Sequence, residues 1–304
     1  MRIPLKRRFK DFVDSSLVPF VSYVSAGVPP RPVIPPRASG AIELQILRGE
    51  LLGRMPTNPA LKGFKVYSQN DEDGIIEEIL ARVSAVGPLE KTFIEIGCAN
   101  GLENNSHYLL LKGFRGCWID GDTQNIEFIR SELGGLDFPQ LQVRQKFVDR
   151  SNILEIIAGQ VAFLGTAEPD FFSLDIDGND LAIVNEALGS LAPKVLCVEY
   201  NPKFPPPTSL SIAYNPSHTW THDDYHGASL QAFCDSLSDY RLVCCNLCGV
   251  NAFFVRKGLD SGFTDASVAE LYQPFREALT CPVSGHPPSL KWLRDYLRTA
   301  SVQR

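Results

Sequence analysis

One stretch in the first half of the chain constrains the fold more than any other. The short apolar run Thr92–Ile96 is rich in β-forming residues, and Gly97 and Gly101 follow it directly. A helical pattern comes next, and a second apolar run, Cys117–Ile119, then ends in Asp120. A strand, a glycine turn, a helix and a second strand within about 30 residues have the size and order of a nucleotide-binding βαβ unit.

The glycines and the acid of this unit predict a nucleoside site. Glycines directly after a strand let the backbone approach a ligand closely, and an acid at the tip of the next strand can accept hydrogen bonds from both ribose hydroxyls. The spacing Glu95-x-Gly97-x-x-x-Gly101 lacks the phosphate cradle of dinucleotide-binding motifs, which favours S-adenosylmethionine. We therefore assign Glu95, Gly97, Gly101, Asp120 and Gly121 to cofactor binding. The alternative is a tight strand–helix turn without a ligand.

Two further expectations concern the same site. A side chain at Gly97 is expected to occupy space that the cofactor needs, so that Gly97→Val weakens binding while the fold survives. Asp149 follows the third predicted strand and is a candidate for contacting the adenine amino group. The alternative is that Asp149 caps the helix that follows it.

Composition and charge restrict the class of protein. A net charge of −6 over 304 residues argues against a nucleic-acid-binding surface, and no run of 18 apolar residues predicts a transmembrane segment. The pair Cys245 and Cys248 has no second CxxC or histidine pair beside it, which argues against structural zinc. Reduced cysteines within predicted core strands indicate a cytoplasmic protein. None of these features predicts the oligomeric state.

The composition also predicts three regions. Residues 1–66 form an N-terminal appendage with a basic start, a proline-rich strap at Pro29–Pro36 and one helix at Ala41–Arg54. Residues 67–257 form an α/β domain, and residues 258–304 form a helical extension.

Within the α/β domain, apolar runs alternate with helical patterns, which indicates a mostly parallel sheet covered on both faces. The last two runs are joined by only four residues, which is too short for a crossover helix, so we expect an antiparallel hairpin. The fold class is therefore α/β, with a seven-stranded, mostly parallel sheet and an antiparallel C-terminal hairpin. This is the Rossmann-like arrangement of class I methyltransferases. The predicted strands lie near 92–97, 115–119, 141–147, 170–175, 194–200, 240–245 and 250–255. The predicted helices of this domain lie near 103–112, 123–133, 151–159, 179–190 and 227–238.

Polar side chains gather where the fourth and fifth strands are predicted to end. Asp175 and Asp177 follow the fourth strand, and Glu199 and Asn201 follow the fifth. Because ligands bind at the carboxyl ends of strands in such sheets, these four side chains are candidate oxygen ligands for Mg²⁺. A bound cation would lower the pKa of a substrate hydroxyl. The alternative is that the acids cap the next helix and bind the strand-end backbone.

A long loop, Lys203–His226, follows the fifth strand and is a candidate lid. His222 and His226 lie in it and are candidate general bases, and Asp175 is a candidate catalytic acid group beside them. The metal and histidine mechanisms make opposite predictions, because only the first is sensitive to a chelator. A solvated loop without a catalytic role is the alternative.

Several motifs in order resemble the FkbM-like family of S-adenosylmethionine-dependent methyltransferases. This resemblance implies a Rossmann-like fold with Gly97, Gly101 and Asp120 in cofactor-binding positions. Better-known members carry a K-x-D-x-E-G type motif at the fourth strand, whereas this chain has Leu174 for the lysine and Asp177 for the glutamate. No catalytic role or substrate is carried over from the family for that motif. The similar segments are SQNDEDG at 68–74, FIEIGCANGLENN at 93–105, WIDGD at 118–122, SLDIDGND at 173–180, VEYN at 198–201, HGASL at 226–230 and GVNAFFV at 249–255.

The expected function is O-methylation of a hydroxyl on a small molecule or a saccharide, with S-adenosylmethionine as cofactor and Mg²⁺ as a second candidate. Two alternatives stay open. The first is a non-catalytic module that binds S-adenosylmethionine or a nucleoside, and the second is another α/β transferase that acts on glycosyl substrates.

Overall fold

A computed structural model describes residues 36–277, 279 and 286–302 of the chain. The basic first ten residues and the proline-rich strap lie outside the described residues, except for Pro36, where the first helix begins. Among the described helices, none combines the length and the apolar character that crossing a membrane requires.

The sheet confirms the predicted fold class. Seven strands lie in the order β3-β2-β1-β4-β5-β7-β6. Strands β1 to β5 are parallel to one another, and β7 is antiparallel both to β5 and to β6. The tips of β1 and β4 therefore lie side by side at the centre of the sheet, where the chain changes direction and ligands bind in open α/β sheets. The strands are β1 Thr92–Ile96, β2 Arg115–Asp120, β3 Leu141–Gln145, β4 Phe171–Leu174, β5 Val195–Glu199, β6 Tyr240–Cys245 and β7 Asn251–Arg256.

Helices cover both faces of the sheet, because alternate strand residues point to opposite sides. On one face, Phe93 and Trp118 pack with α2, α3, α4 and α9. On the other face, Ile94 and Phe172 pack with α5, α6 and α7. The helices are α1 Pro36–Arg54, α2 Glu72–Ser84, α3 His107–Leu111, α4 Thr123–Leu133, α5 Ile153–Leu164, α6 Asp180–Ala187, α7 Leu230–Ser236, α8 Val268–Leu271 and α9 Lys291–Val302.

Helices α3, α6 and α7 are shorter than the sequence pattern predicted, and α6 spans Asp180–Ala187 rather than residues 179–190. Helix α3 begins at His107 rather than near 103, because the preceding residues form a loop bound to β1. Helix α7 begins at Leu230 because Ser229 caps it through Ala232 N–H. In the predicted helical extension, the four-residue helix α8 starts with a capping box between Ser267 and Glu270.

A buried polar network connects the start of α2 with the antiparallel strands. Glu72 accepts hydrogen bonds from Nδ2 of Asn246 (2.7 Å) and Nδ2 of Asn251 (3.0 Å). One oxygen of Asp73 accepts the backbone N–H groups of residues 66, 67 and 68. Glu72 and Asp73, both in the first turn of α2, thus bind the β6–β7 hairpin and the loop before the helix.

Candidate active site

The glycine turn after β1 exists because the next strand passes too close for a side chain. Gly97 has φ +86°, and a Cβ there would overlap the backbone carbonyl of Asp175 at the end of β4. The sequence analysis expected Gly97 to leave space for the cofactor, so that the fold would survive Gly97→Val. That expected outcome is wrong. A valine at Gly97 would strike the neighbouring strand, so the fold would not survive the substitution unchanged.

Gly101 and Glu95 also have structural roles that the sequence did not indicate. A Cβ at Gly101 (φ +75°) would lie 2.8 Å from the Trp118 ring. Glu95 is buried and accepts hydrogen bonds from Nδ2 of Asn104 (2.8 Å), the backbone N–H of Asn105 (2.8 Å), and the N–H and hydroxyl of Ser106. Neither residue lines the cleft described below, and their assignment to cofactor binding stays a prediction.

Asp120 lies at the tip of β2 and binds the glycine turn. Its Oδ2 accepts the backbone N–H of Ala99 (2.8 Å), and its Oδ1 accepts the N–H of Asp122 (2.8 Å) and Nδ2 of Asn125 (3.2 Å). The residue is half-buried. Because each carboxylate oxygen has about two acceptor sites, Oδ2 retains capacity for another donor. Asp120 therefore joins the two parts of the predicted nucleoside site.

A cleft of about 490 Å³ opens above these strand ends, and we call it the cofactor cleft. Gly97, Asp120 and Gly121 line it, as predicted. Phe147, which the sequence analysis missed, stands beside Gly121 with 51% of its surface exposed. Its only sequence signal was its place as the last apolar residue of the third predicted strand, near 141–147. The other lining residues are Ile96, Ala99, Ile119, Asp122, Asn125, Lys146, Val148, Asp175, Ile176, Asp177, Asn179 and His218.

Asp149 forms a local turn instead of lining this cleft. Its Oδ1 accepts the backbone N–H and the hydroxyl of Ser151 and the N–H of Asn152. These hydrogen bonds lower the pKa of Asp149. The geometry favours the helix-start alternative over the adenine contact.

Three of the four predicted metal ligands converge. Asp175, Asp177 and Glu199 each offer an oxygen, and these oxygens lie within 4.8 Å of one another; we call them the acid cluster. The turn between the two aspartates is held by Asp180, which accepts the backbone N–H groups of Ile176 (2.8 Å) and Gly178 (2.7 Å). This turn gives Asp177 a positive φ of 55°.

Asn201, the fourth predicted ligand, lies outside the acid cluster. Its Nδ2 donates to the backbone carbonyls of Asp224 (3.0 Å) and His226 (3.0 Å), and its oxygen accepts the N–H of Lys203 (3.1 Å). Both the nitrogen and the oxygen of its side-chain amide thus form hydrogen bonds with the lid backbone, so Asn201 fixes the base of the lid. Its assignment as a metal ligand stays a prediction.

Asp175 and Glu199 are hydrogen-bonded carboxyl groups with raised pKa values. Burial is the largest cause for both, followed by repulsion from neighbouring carboxylates. The pKa of Asp175 rises to about 8, and that of Glu199 lies well above its ordinary value. Two half-buried carboxylates in contact cannot both ionise easily, so the pair holds a proton near neutral pH.

The lid, residues 203–226, brings a different histidine to the cleft from the two that were predicted. His222 is exposed, with φ +63°, and its ring lies tilted beside that of Trp220, with 4.7 Å between the ring centres. His226 is half-buried near Trp220, and burial lowers its pKa while Asp177 opposes that effect. Neither residue lines the cofactor cleft.

His218 lines the cofactor cleft beside the acid cluster. Its ring covers Gly178, where a Cβ would lie 2.9 Å from Nε2. Nε2 is buried and has no hydrogen-bond partner among the described residues. The sequence placed His218 in the lid, but nothing in the loop pattern distinguished it from its neighbours.

A second, smaller cavity of about 210 Å³ lies under the lid, and we call it the lid cavity. It shares Gly178 and Asn179 with the cofactor cleft. Asn179 fixes this boundary, because its side chain donates to the carbonyl of Asn215 (2.7 Å) and accepts the N–H of Asn215 (3.2 Å). The remaining lining residues are Arg150, Leu181, Ala182, Asn185, Ser211, Ile212, Tyr214 and Gly227.

The proton held by the Asp175–Glu199 pair predicts a pH dependence of stability. The folded pKa of Asp175, about 8, lies above its unfolded value of 3.8. The folded state therefore holds the extra proton between these values, and the associated stability is lost as pH rises. The free energy of unfolding of the wild type is expected to fall as pH rises from about 5.5 to 7.5. In Asp175→Asn this fall is expected to be smaller, by up to about 1.4 kcal/mol per pH unit.

Urea unfolding at three pH values in this range measures the effect. Asp149→Asn is the matched control, because the lowered pKa of Asp149 gives a contribution that is lost only as pH falls toward its unfolded value. Parallel pH profiles for wild type and Asp175→Asn would contradict the shared proton.

Comparison with known proteins gives similar folds at low identity. No family model matches the chain, and no curated protein matches it, so the FkbM-like resemblance stays a prediction. Similar solved structures are monomeric WbdD (18% identity, TM-score 0.36, 67% of this chain and 43% of that chain) and a proposed O-methyltransferase from Klebsiella pneumoniae (13%, 0.33, 69% and 94%). A third is a proposed RNA methyltransferase from Pyrococcus horikoshii (13%, 0.35, 69% and 96%).

These three structures carry methyltransferase names; WbdD is a bifunctional kinase–methyltransferase. The chain spans less than half of the WbdD chain. With TM-scores below 0.4, the comparisons add no argument about activity, which must come from the site itself.

Proposed function

We propose that this protein is an S-adenosylmethionine-dependent methyltransferase that acts on a hydroxyl of a small molecule or a saccharide. The observation that carries the proposal is the cofactor cleft. It joins the glycine turn of β1 and Asp120 of β2 to the acid cluster and His218 at the ends of β4 and β5. A nucleoside site and a candidate proton acceptor therefore share one opening at the carboxyl ends of the strands.

The charge of the cleft supports S-adenosylmethionine over a phosphate-bearing cofactor. Among the described residues that line it, four are aspartates and one, Lys146, is a lysine. S-adenosylmethionine carries a sulfonium and an ammonium group, which such a surface attracts. The pyrophosphate of a dinucleotide would be repelled, because it would bring two negative charges beside Asp120, Asp122 and Asp177.

The shape and lining of the cleft also fit the cofactor. Its volume of about 490 Å³ lies within the roughly 300–1,000 Å³ typical of small-molecule sites. The exposed ring of Phe147 offers an apolar wall for a flat base next to Gly121. Asp120 would accept a ribose hydroxyl through Oδ2, while its other contacts keep the carboxylate fixed.

The residues of the site would act mainly by alignment and proton removal. The bound cofactor would supply an electrophilic methyl group. Holding an acceptor hydroxyl in line is itself a large part of such catalysis. We propose that Nε2 of His218 accepts the hydroxyl proton, because this atom lacks a partner among the described residues and its residue lines the cleft. Asp177, Asp175 and Glu199 would stabilise the imidazolium that forms.

A metal-assisted mechanism is the second candidate for proton removal, favoured by the geometry of the acid cluster. Its three carboxylates would hold Mg²⁺ through oxygen atoms, which are the ligands that this ion prefers. A bound cation would lower the pKa of the acceptor hydroxyl. It would also displace the proton that Asp175 and Glu199 hold.

Cofactor titration tests the proposal. Wild type is expected to bind S-adenosylmethionine more tightly than NAD in calorimetry. Asp120→Ala is expected to weaken S-adenosylmethionine binding by about 10–100-fold, because one charge-assisted hydrogen bond of about 1.5–3 kcal/mol is lost. Asp122→Ala is the matched control: this residue also lines the cleft, but its carboxylate caps α4 through Gln124.

The outcomes separate the competing functions. Binding of NAD alone would contradict the methyltransferase proposal. Unchanged affinity in a folded Asp120→Ala protein would show that the nucleoside binds elsewhere. Tight S-adenosylmethionine binding without methyl transfer to a panel of hydroxylated acceptors would favour the non-catalytic module.

A further inference from the structure

The lid cavity differs from the cofactor cleft in its charge. No aspartate or glutamate is among its described lining residues, and Arg150 supplies a cation. The hydroxyl of Ser211 and Nδ2 of Asn185 are further donors on the wall, since the oxygen of Asn185 is already used by the hydroxyl of Ser236. Leu181 and Ile212 add apolar surface. The cavity therefore offers hydrogen-bond donors and a positive charge beside an acidic cleft.

Arg150 is held in place but not neutralised. Its guanidinium lies 4.6 Å from the centre of the Tyr214 ring, and its backbone N–H donates to the Tyr214 hydroxyl (2.9 Å). The guanidinium makes no ion pair with any described residue. Stacking on a ring orients the planar group while its N–H edges stay free for a carboxylate or a phosphate, which it can bind in a bidentate manner.

The position of the cavity connects this anion site to the proposed chemistry. Gly178 and Asn179 form a wall that both spaces share, and the His218 ring lies on Gly178. A volume of about 210 Å³ corresponds to about seven water molecules at roughly 30 Å³ each, which is room for a single-ring molecule. A molecule of that size in the lid cavity can extend a hydroxyl over Gly178 toward His218.

We propose that the lid cavity binds the acceptor, and that Arg150 selects acceptors that carry a carboxylate or a phosphate. The acceptor class is thus a hydroxylated, anionic molecule of about the size of a monosaccharide. The assignment of this ligand as the acceptor rests on the proposed function. The anion selectivity itself rests only on the cavity and on Arg150.

Calorimetric titration of the full chain with three probes tests the selectivity. Glucuronate and glucose 6-phosphate present a carboxylate and a phosphate, and glucose presents neither. At least one charged probe is expected to bind about 10-fold or more tighter than glucose, because the charged group gains hydrogen bonds from the guanidinium. Which of the two binds better identifies the anionic group.

Two variants make the test specific. Arg150→Gln is expected to remove the preference for the charged probe, and Arg150→Lys to retain part of it through a point charge. Arg130→Gln is the control of equal net charge, because Arg130 is exposed on α4 and does not line the cavity. Equal binding of the three probes, no binding of either charged probe at millimolar concentration, or a preference that persists in Arg150→Gln would each overturn the proposal.

The titrations are made without cofactor, so that this proposal and the proposed function can fail separately. Arg150-dependent binding of a charged probe by a protein that does not bind S-adenosylmethionine would refute the methyltransferase proposal and keep the anion site. Binding of S-adenosylmethionine without anion selectivity would do the reverse.

Discussion

Replacing Gly97 with alanine is expected to destabilise the protein by more than about 4 kcal/mol, or to prevent folding. The added Cβ would overlap the carbonyl of Asp175, and the residue would also need its positive φ of 86°. Relief would require β1 and β4 to separate at their tips, where the N–H of Asp175 donates to the carbonyl of Ile96 (3.0 Å). The overlap is with backbone on both sides, so no rotamer change can remove it.

Chemical denaturation of Gly97→Ala beside Gly159→Ala measures this effect. Gly159 lies inside helix α5, and a Cβ there would meet no atom within 4 Å. The control is therefore expected to gain about 0.5–1 kcal/mol, as alanine does over glycine in a helix. A folded Gly97→Ala protein with nearly wild-type stability would show that the strand tips are further apart than described.

Replacing His218 with alanine is expected to lower kcat by about 10²–10⁴-fold with little change in S-adenosylmethionine affinity. The imidazole is proposed to take the hydroxyl proton during transfer and not to bind the cofactor. Its loss should therefore appear in the chemical step. The measurement is S-adenosylhomocysteine formation with the best acceptor of the panel, together with cofactor titration of the same variant.

His222→Ala and chelation provide the controls. His222 is exposed at the outer part of the lid, so its loss is expected to change kcat by less than about threefold. EDTA is expected to leave turnover unchanged. Turnover that EDTA abolishes, that Mg²⁺ restores and that survives His218→Ala would instead support the acid cluster as a metal site. Activity that survives both treatments would leave alignment as the catalytic device.

The sheet could be predicted from the sequence because fully buried strands appear in it as continuous apolar runs. Runs such as Thr92–Ile96 and Phe171–Leu174 are continuously apolar or nearly so, and their burial is complete. The short link between β6 and β7 also fixed their antiparallel relation. Helix starts were predicted less well, because hydrogen bonds from distant residues decide them. The loop before α3 is held by Glu95, which lies ten residues earlier on a strand.

The reasons behind site residues were harder to infer than their positions. Gly97 was correctly placed at the cleft, but its neighbour is the backbone of β4, and nothing in a local motif shows what approaches from another strand. The convergence of Asp175, Asp177 and Glu199 followed from strand ends, which sequence order reveals. The choice among three lid histidines depended on the path of a long loop, and that path is set by distant contacts such as Asn179–Asn215.

The paired hydrogen bonds between Asn179 and Asn215 have a consequence for the order of events in the proposed reaction. His218 lies three residues after Asn215. If the lid moved away from the start of α6, the imidazole of His218 would therefore move with it. An open protein would then admit ligands but lack its base, and a closed one would have the base but exclude bulk water. The two hydrogen bonds between Asn179 and Asn215 would thus control two things together: whether the base is in place for methyl transfer, and whether the methyl group is shielded from solvent.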